Sequence, residues 1–412
     1  MPTDPLKWAM IGCGGIAKTH LKALEDLRSR GIDDAIFTAV CDNNEDNARA
    51  FAQELETRFG MKAKVYTDYR QMLDAEKLDA VDICLPHGLH HVVACDAMEA
   101  GAHVLCEKPL GVTIAASRKM AETADRTGKV LSTAVPYRRL PGQRAVHWVL
   151  NESGLIGRPL SFFHQYTQAP RPRPAAQTSV PPAVRWRRDR LMSGGGATLD
   201  GGFHYCDSIR YFLGEVDRVY AECRNFSSGE PVTFGESSED TIFTTFTFKS
   251  GVVGMWSWAM SAVGEPLSSI VFYCSDGSIS DRTPSGAIYK HLFWRNPPSL
   301  PSEDGVLTKR DGSTLSLAEV ERLHLEAIGL RAEELFPRGC QDGFAYEIWE
   351  FAEAVRGRKA KVEVDGWEGL KSLAVCEAIY ESAYSGQPVK VEDVESGKVR
   401  AYQKMIDERW GL

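Results

Sequence analysis

The sequence lacks the features of a membrane, secreted or nucleic-acid-binding protein. None of its hydrophobic runs approaches the ~18 residues that a membrane-spanning helix needs. Its start, MPTDPLKWAMIG, does not resemble a secretory signal. The ten cysteines form no CxxC pair, which argues against a zinc ribbon or a redox motif. The net charge is −8, and Lys and Arg are dispersed apart from one short cluster, so we expect no nucleic-acid partner. The cysteine pattern and the absence of a signal or membrane span favour a cytoplasmic protein with reduced thiols and no membrane partner.

Two hydrophobic patterns divide the 412 residues at about residue 136. In residues 1–136, short hydrophobic runs alternate with helical patterns, which predicts an α/β domain with a doubly wound parallel sheet. Residues 137–412 carry long alternating runs such as DTIFTTFTF and GVVGMWSWAM. These runs predict an α+β domain with a large, mostly antiparallel open sheet, followed by helices that can pack back on the first domain. The proline-rich stretch 169–184 and the polar segment 296–315 predict irregular structure.

The first chemical motif is MIGCGGIAKTH, in which Gly12, Gly14 and Ala17 form GxGxxA between a predicted strand and a predicted helix. Gly12 permits a tight turn, Gly14 lets the backbone approach a pyrophosphate, and Ala17 lets the helix pack closely. The pyrophosphate would lie at the free N–H groups of the helix. The motif predicts a Rossmann dinucleotide site that includes Gly15 and Ile16.

The cofactor preference is predicted from Asp42, at the end of the second predicted strand. A carboxylate there can accept hydrogen bonds from both hydroxyls of the adenosine ribose and would repel a 2′-phosphate. Asn43 and Asn44 follow it rather than an arginine, so NAD is favoured over NADP. The alternative is that Asp42 caps the helix that follows, because Asp is common at that position.

The second chemical motif is SGGGATLDGGFHYCD, which spaces Asp200 and His204 as i,i+4, with Asp207 three residues further on. On a helix that begins near Asp200, all three project from one face. An imidazole beside a carboxylate suits proton transfer near neutral pH. The alternatives are that Asp200 caps the helix and His204 is a core histidine. No third ligand is evident nearby, so we expect no metal.

These motifs, with DAVDICLPHGLHH, GAHVLCEKPLGVT and EAIYESAYSGQPVKV, resemble the Gfo/Idh/MocA family of sugar and polyol oxidoreductases over nearly the whole chain. The resemblance implies that Lys108 of the EKP tripeptide hydrogen-bonds the reacting oxygen and that His204 takes the hydroxyl proton. It implies that Asp200 orients and balances these groups and that Glu107 contacts the nicotinamide-side ribose. Pro109 would fix the turn that directs Lys108, with a cis peptide bond as one option.

The resemblance also suggests further contacts, each with an alternative. Pro86 and His90 resemble residues at the cofactor edge, although His90 could equally cap or pack. Tyr137 and Arg138 could reach substrate, although Arg138 could equally lie on the surface. The remaining candidates are Trp186 and Arg187, where an aromatic face suits a sugar ring but the arginine cluster could instead be solvated or contact a subunit.

The predicted function is NAD-dependent hydride transfer to or from a secondary hydroxyl of a sugar, glycoside or cyclic polyol. One alternative is an enzyme that retains and recycles NAD, either cleaving a glycoside without net oxidation or exchanging oxidation between two sugars. A second is a non-enzymatic sensor of sugar or dinucleotide. The resemblance also implies a homodimer or homotetramer.

Overall fold

The computed structural model describes residues 4–167, 182–226, 239–264, 267–282 and 305–412. The proline-rich stretch predicted to be irregular lies outside these residues up to residue 181. Within them, the strands are β1 (Leu6–Ile11), β2 (Ala35–Cys41), β3 (Lys64–Tyr66), β4 (Ala80–Ile83), β5 (His103–Glu107), β6 (Leu131–Ala134), β7 (Pro159–Thr167), β8 (Val216–Arg224), β9 (Thr241–Phe248), β10 (Val253–Ala259), β11 (Leu267–Cys274), β12 (Gly277–Arg282), β13 (Gly305–Lys309), β14 (Thr314–Ser316) and β15 (Val389–Lys390).

The α-helices of the described chain are α1 (Gly15–Ser29), α2 (Glu45–Phe59), α3 (Tyr69–Ala75), α4 (His87–Glu99), α5 (Ile114–Thr127), α6 (Pro141–Asn151), α7 (Arg190–Ser193), α8 (Ala197–Asp200), α9 (Gly202–Leu213), α10 (Leu317–Ile328), α11 (Ala332–Leu335), α12 (Gly343–Val355), α13 (Gly366–Ser385), α14 (Val391–Glu395) and α15 (Lys404–Trp410). Several begin at side chains that satisfy free backbone N–H groups. Thr113 caps α5, and Ser316 with Glu319 forms a capping box at α10.

The chain forms two compact units, of which the first contains residues 1–136, 336–370 and 410–412. Its described strands form a parallel sheet in the order β3-β2-β1-β4-β5-β6, as the strand–helix alternation predicts. The order reverses between β1 and β4, and ligands of such sheets bind outside the carboxyl ends of the strands at that point.

The returning segment 336–370 completes the core of the first unit. Trp8 of β1 packs edge-on against Phe37 of β2 and Phe351 of α12, with ring centroids 5.9 and 5.2 Å apart. The backbone N–H of Thr133 on β6 donates to the carbonyl of Val364 at 2.9 Å. Residues more than 300 positions from β1 in sequence therefore belong to the same hydrophobic core.

The second unit contains residues 137–335 and 371–409. Its described strands form a sheet in the order β14-β13-β12-β11-β7-β10-β9-β8-β15, and every pair is antiparallel except β7 with β10. The mostly antiparallel sheet predicted from the alternating runs is confirmed. Of the segment 296–315, which was predicted to be irregular, residues 296–304 lie outside the described residues. The prediction is wrong for residues 305–309 and 314–316, because β13 and β14 extend the sheet there.

Helix α9 covers one face of this sheet. The ring of Tyr205 on α9 stacks on Trp256 of β10 and on His164 of β7, at centroid distances of 4.4 and 4.8 Å. Large hydrophobic residues on the opposite face are exposed, among them Phe163 and Phe243. No helix in the described part of the chain is both long and hydrophobic enough to cross a membrane. All ten cysteines are free and buried.

Candidate active site

The turn after β1 has the geometry that the glycine motif predicts. Gly12 has φ +91°, and a β-carbon there would lie 2.3 Å from the carbonyl oxygen of Cys84. A β-carbon on Gly14 or Gly15 would meet no atom within 4 Å. Helix α1 begins at Gly15, and no side chain caps it in the described structure. Open space therefore faces free backbone N–H groups, as an incoming pyrophosphate requires.

Asp42 lies beside this turn and does not cap the next helix. One carboxylate oxygen accepts from the backbone N–H of Cys13 at 2.8 Å, and the other accepts from the N–H of Asn44 at 2.9 Å. Asn44 caps α2 by accepting from the N–H of Asp46. The capping alternative for Asp42 is therefore wrong, because Asn44 has that position. Asp42 instead joins the end of β2 to the glycine turn.

The end of β5 brings Glu107, Lys108 and Pro109 to the carboxyl edge of the sheet. The Lys108–Pro109 peptide bond is cis, and Lys108 is partly exposed whereas Glu107 is 5% exposed. One oxygen of Glu107 accepts from the backbone N–H of Lys108 at 3.0 Å, and the other lies 3.1 Å from Nε2 of His20. Glu107 thus points into the first unit, whereas the sequence suggested a ribose contact.

His90 has a position inside the first unit. It is fully buried, and its ring nitrogens lie 2.8 Å from the carbonyl oxygen of Leu85 and 2.9 Å from that of Pro109. Burial lowers the pKa of His90. Pro86 precedes α4 and is partly exposed. The His90 ring therefore joins the loop after β4 to the loop after β5, which is the packing role considered from the sequence.

In the second unit, α8 and α9 are separated only by Gly201, whose backbone is also right-handed helical. Oδ2 of Asp200 lies 2.8 Å from Nε of Arg187, and both side chains are partly exposed. The Arg187 guanidinium lies over the Trp186 ring, 4.6 Å from its centroid. The structure thus brings Trp186, Arg187 and Asp200 together on one partly exposed surface.

His204 lies one turn beyond Asp200 and contacts a second predicted residue. Its ring meets Tyr137 edge-on, with the ring centroids 4.3 Å apart. Tyr137 is buried and His204 is partly exposed. The two candidates, 67 positions apart in sequence, are therefore neighbours within the second unit.

Arg138 forms a buried ion pair with Asp207. Its guanidinium donates to both carboxylate oxygens, with Nε 2.8 Å from Oδ2. Arg138 is 6% exposed and Asp207 is fully buried, so the surface alternative for Arg138 is wrong. Burial raises the pKa of Asp207, but the guanidinium of Arg138 lowers it more, with help from Arg210 and Ser372, so the pKa lies below its usual value. The pair fixes a buried side of α9, whereas the Asp200 side chain is partly exposed.

Two groups of residues that support the site were not predicted from the sequence. His20 lies inside the GCGGIAKTH motif, but its partners are 62 and 87 residues away, so their spacing gave no signal. Tyr380 donates to Glu239 at 2.8 Å and accepts from the N–H of Gly196 at 2.9 Å, which holds the turn before α8. The proximity of Tyr380 to that turn depends on the tertiary fold.

Comparisons with known proteins agree with the two-part fold of the chain. The model described as oxidoreductase family, NAD-binding Rossmann fold matches residues 6–135, and that described as oxidoreductase family, C-terminal alpha/beta domain matches residues 151–391. D-glucoside 3-dehydrogenase from Escherichia coli (strain K12) is 31% identical over 67% of this chain and 76% of its own length.

Two further similarities extend over nearly the whole chain. D-apiose dehydrogenase from Paraburkholderia graminis is 28% identical over 95% of this chain and 91% of its own. The solved structure of levoglucosan dehydrogenase in complex with NADH is 25% identical, with a TM-score of 0.70, and the match covers 94% of this chain and 99% of that one.

Proposed function

Because the chain belongs to the Gfo/Idh/MocA oxidoreductase family, we propose that it is an NAD-dependent dehydrogenase acting on a secondary hydroxyl of a sugar, glycoside or cyclic polyol. The observation that carries this proposal is the carboxyl edge of the parallel sheet, where the open glycine turn follows β1, Asp42 follows the adjacent β2, and Lys108 follows β5, one strand beyond β4. The names of the glucoside, apiose and levoglucosan dehydrogenases support the substrate class.

The residues present fit a dinucleotide. Gly12, Gly14 and Gly15 would hold the pyrophosphate, since the space above Gly14 and Gly15 is open and α1 presents its N–H groups there. Asp42 would accept hydrogen bonds from the adenosine ribose and repel a 2′-phosphate, which favours NAD over NADP. Ile16 is 36% exposed and would border the cofactor, as would Pro86.

When bound, NAD supplies the hydride acceptor for oxidation of the carbinol carbon. The chain itself supplies the proton-transfer groups. His204 takes the hydroxyl proton as the carbinol is oxidised, and Lys108 donates a hydrogen bond to the reacting oxygen and stabilises the negative charge that develops there. Tyr137 supports the His204 ring through its edge-on contact.

We assign substrate binding to the surface of Trp186, Arg187 and Asp200. The aromatic face of Trp186 suits the C–H face of a sugar ring, and Arg187 offers donors to sugar hydroxyls or a carboxylate. Asp200 holds Arg187 in place through their 2.8 Å contact. Arg138 and His90 support this machinery from buried positions and have no assigned contact with substrate or cofactor.

The direct test is nicotinamide absorbance with inositols, aldoses, uronic acids and glycosides, each with NAD and with NADP. We expect reduction of NAD with at least one substrate class and weaker reduction of NADP. Asp42→Ala should reduce the difference between the rates of NAD and NADP reduction. No reduction by the wild-type protein, together with NAD released on denaturation, would favour retained and recycled cofactor. No reduction and no NAD in the protein would favour a sensor.

We also propose that the exposed sheet face of the second unit binds a second copy of the chain. Phe163, Phe243, Val253 and Tyr273, on neighbouring strands, are 44–54% exposed and point to the same side. A hydrophobic patch of this kind on a regular sheet is typical of a protein interface. Two identical flat faces can cover each other about a twofold axis, so a second copy of the chain fits this face, in a homodimer or homotetramer.

A further inference from the structure

His20 is a buried histidine between two carboxylates in the first unit. It lies in the second turn of α1 and is 1% exposed. Its Nδ1 is 2.8 Å from Oδ2 of Asp82 on β4, and its Nε2 is 3.1 Å from Oε1 of Glu107 at the end of β5. Glu347 of α12 lies 4.0 Å from the same Nε2. Three elements therefore direct acidic side chains at one imidazole.

This arrangement favours a positively charged ring. A neutral imidazole has one N–H and one lone pair, so it can donate to only one of the two carboxylates. Its lone pair would then face the oxygen of the other carboxylate, which is repulsive. An imidazolium donates to both. The titratable groups around the ring are Asp82, Cys84, Glu107, Asp342 and Glu347. Burial lowers the pKa of His20, but Asp82 and Cys84 more than offset it, and the pKa lies well above its usual value.

The same cluster could be considered as a metal site, since ligand atoms of His20, Asp82 and Cys84 lie within 4.8 Å of one another. The distances argue against this. A tetrahedral Zn²⁺ at ~2.0–2.1 Å from nitrogen and oxygen would hold those atoms ~3.3 Å apart. The observed 2.8 Å between Nδ1 of His20 and Oδ2 of Asp82 is the length of a charge-assisted hydrogen bond.

The cluster continues to the segment that presents Lys108. The second oxygen of Glu107 accepts from the backbone N–H of Lys108 at 3.0 Å. A carboxylate held by an imidazolium on one oxygen has its rotamer fixed, so the other oxygen is fixed as well. The position of the Lys108 backbone therefore depends on the charge of His20.

We propose that His20 is a charged positioning residue, which holds Glu107 and through it the backbone of Lys108. The inference rests on the proposed role of Lys108 in the reaction, but the charge of His20 can be measured without a substrate. His20 is not a catalytic residue, because it acts through Glu107 from inside the first unit.

The first experiment measures the ring ¹⁵N chemical shifts of the histidines in the full-length protein. We expect the His20 ring, identified by its loss in His20→Gln, to keep both nitrogens protonated at about pH 8, where ordinary histidines are neutral. If His20→Gln does not fold, the wild-type spectrum alone decides: no doubly protonated ring at about pH 8 contradicts the proposal. A stoichiometric bound metal in the purified protein would also overturn it.

The second experiment separates positioning from binding. We expect His20→Gln to lower kcat by about 10²-fold, because a small displacement of a catalytic group has that effect, while the Kd for NAD changes less than about threefold. His103→Gln, at the opposite end of β5, is the control and should keep kcat within about twofold. Unchanged kcat in folded His20→Gln would contradict the proposal. If Lys108→Met also left kcat unchanged, the role proposed for Lys108 would fail while the measured charge of His20 would stand.

Discussion

Gly12 and Gly14 are two residues apart, but a methyl group at each would meet different surroundings. At Gly12 the β-carbon would collide with the carbonyl of Cys84 in a left-handed backbone conformation. At Gly14 it would enter open space beside the helix N-terminus. We predict that Gly12→Ala lowers the melting temperature of the free protein. Gly14→Ala should leave it unchanged and raise the Kd for NAD about tenfold or more, which calorimetry measures. Equal Kd values for wild type and Gly14→Ala would contradict the pyrophosphate assignment.

Arg138 and Arg187 allow a matched comparison between a buried and an exposed ion pair. Arg138→Met leaves the carboxylate of Asp207 buried, and removing one partner of such a pair costs about 3–5 kcal/mol in the free energy of unfolding. Arg187→Met disrupts a partly exposed pair and should cost less than about 1 kcal/mol. Urea unfolding of the two variants measures the difference. Similar losses of stability would show that the Arg138–Asp207 pair does not anchor α9.

The role of a residue could be predicted from the sequence where neighbouring residues of one motif determine its conformation and contacts. The conformation of Gly12 follows from its motif, and the contact between Trp186 and Arg187 joins adjacent residues. The environments of Glu107, Arg138 and His90 were not predictable, since each is decided by partners on other elements. Arg138 was expected to be exposed or to meet substrate because nothing in YRRLPG indicates the carboxylate of Asp207, 69 residues away.

At the level of elements, the turn Gly194–Gly196 before α8 is held against a rigid tyrosine. A β-carbon on Gly195 would lie 2.2 Å from the hydroxyl of Tyr380. Tyr380 is buried and stacks on Tyr402 with centroids 4.5 Å apart, so it cannot move aside easily. We predict that Gly195→Ala costs about 1–3 kcal/mol by overpacking and lowers kcat, because the turn leads into Asp200 and His204.

Tyr380→Phe is the companion variant for this turn. It keeps the ring but removes the hydrogen bonds to Glu239 and Gly196, and a buried polar group left without its partner costs about 1–3 kcal/mol. Burial raises the pKa of Glu239, so its carboxylate depends on the donors around it. Thermal unfolding and steady-state kinetics measure the stability and kcat of Gly195→Ala and Tyr380→Phe. Wild-type stability and kcat in both variants would show that the turn does not depend on Tyr380.

Most elements of the fold followed from hydrophobic periodicity, and the exceptions have physical reasons. The short hydrophobic runs of residues 1–136 correspond to β1, β2, β4, β5 and β6. β3 has only three residues, too few for a periodic signal. β7 lies between β11 and β10 although it begins 94 residues before β10 and 108 residues before β11. Its parallel pairing with β10 makes the sheet mixed. Strand order of this kind depends on long-range packing.

For the whole molecule, the exposed sheet face predicts self-association. We expect a mass of at least twice 45.6 kDa in light scattering. Phe243→Asp, in the middle of the face, should yield monomers, because a carboxylate without a partner would be buried in the interface. Met405→Asp, at an exposed hydrophobic position on α15, is the control and should leave the mass unchanged. A monodisperse wild-type monomer would contradict the interface.

Lys108 is proposed to act at the reacting oxygen of a substrate that is oxidised with NAD. Stopped-flow absorbance of bound nicotinamide in a single turnover tests it, with Lys108→Met compared with Lys119→Met, an exposed lysine of α5. Loss of one preorganised donor should slow the chemical step about 10²–10³-fold in Lys108→Met without weakening NAD binding. Lys119→Met should match the wild type. A wild-type rate in Lys108→Met would contradict this role of Lys108.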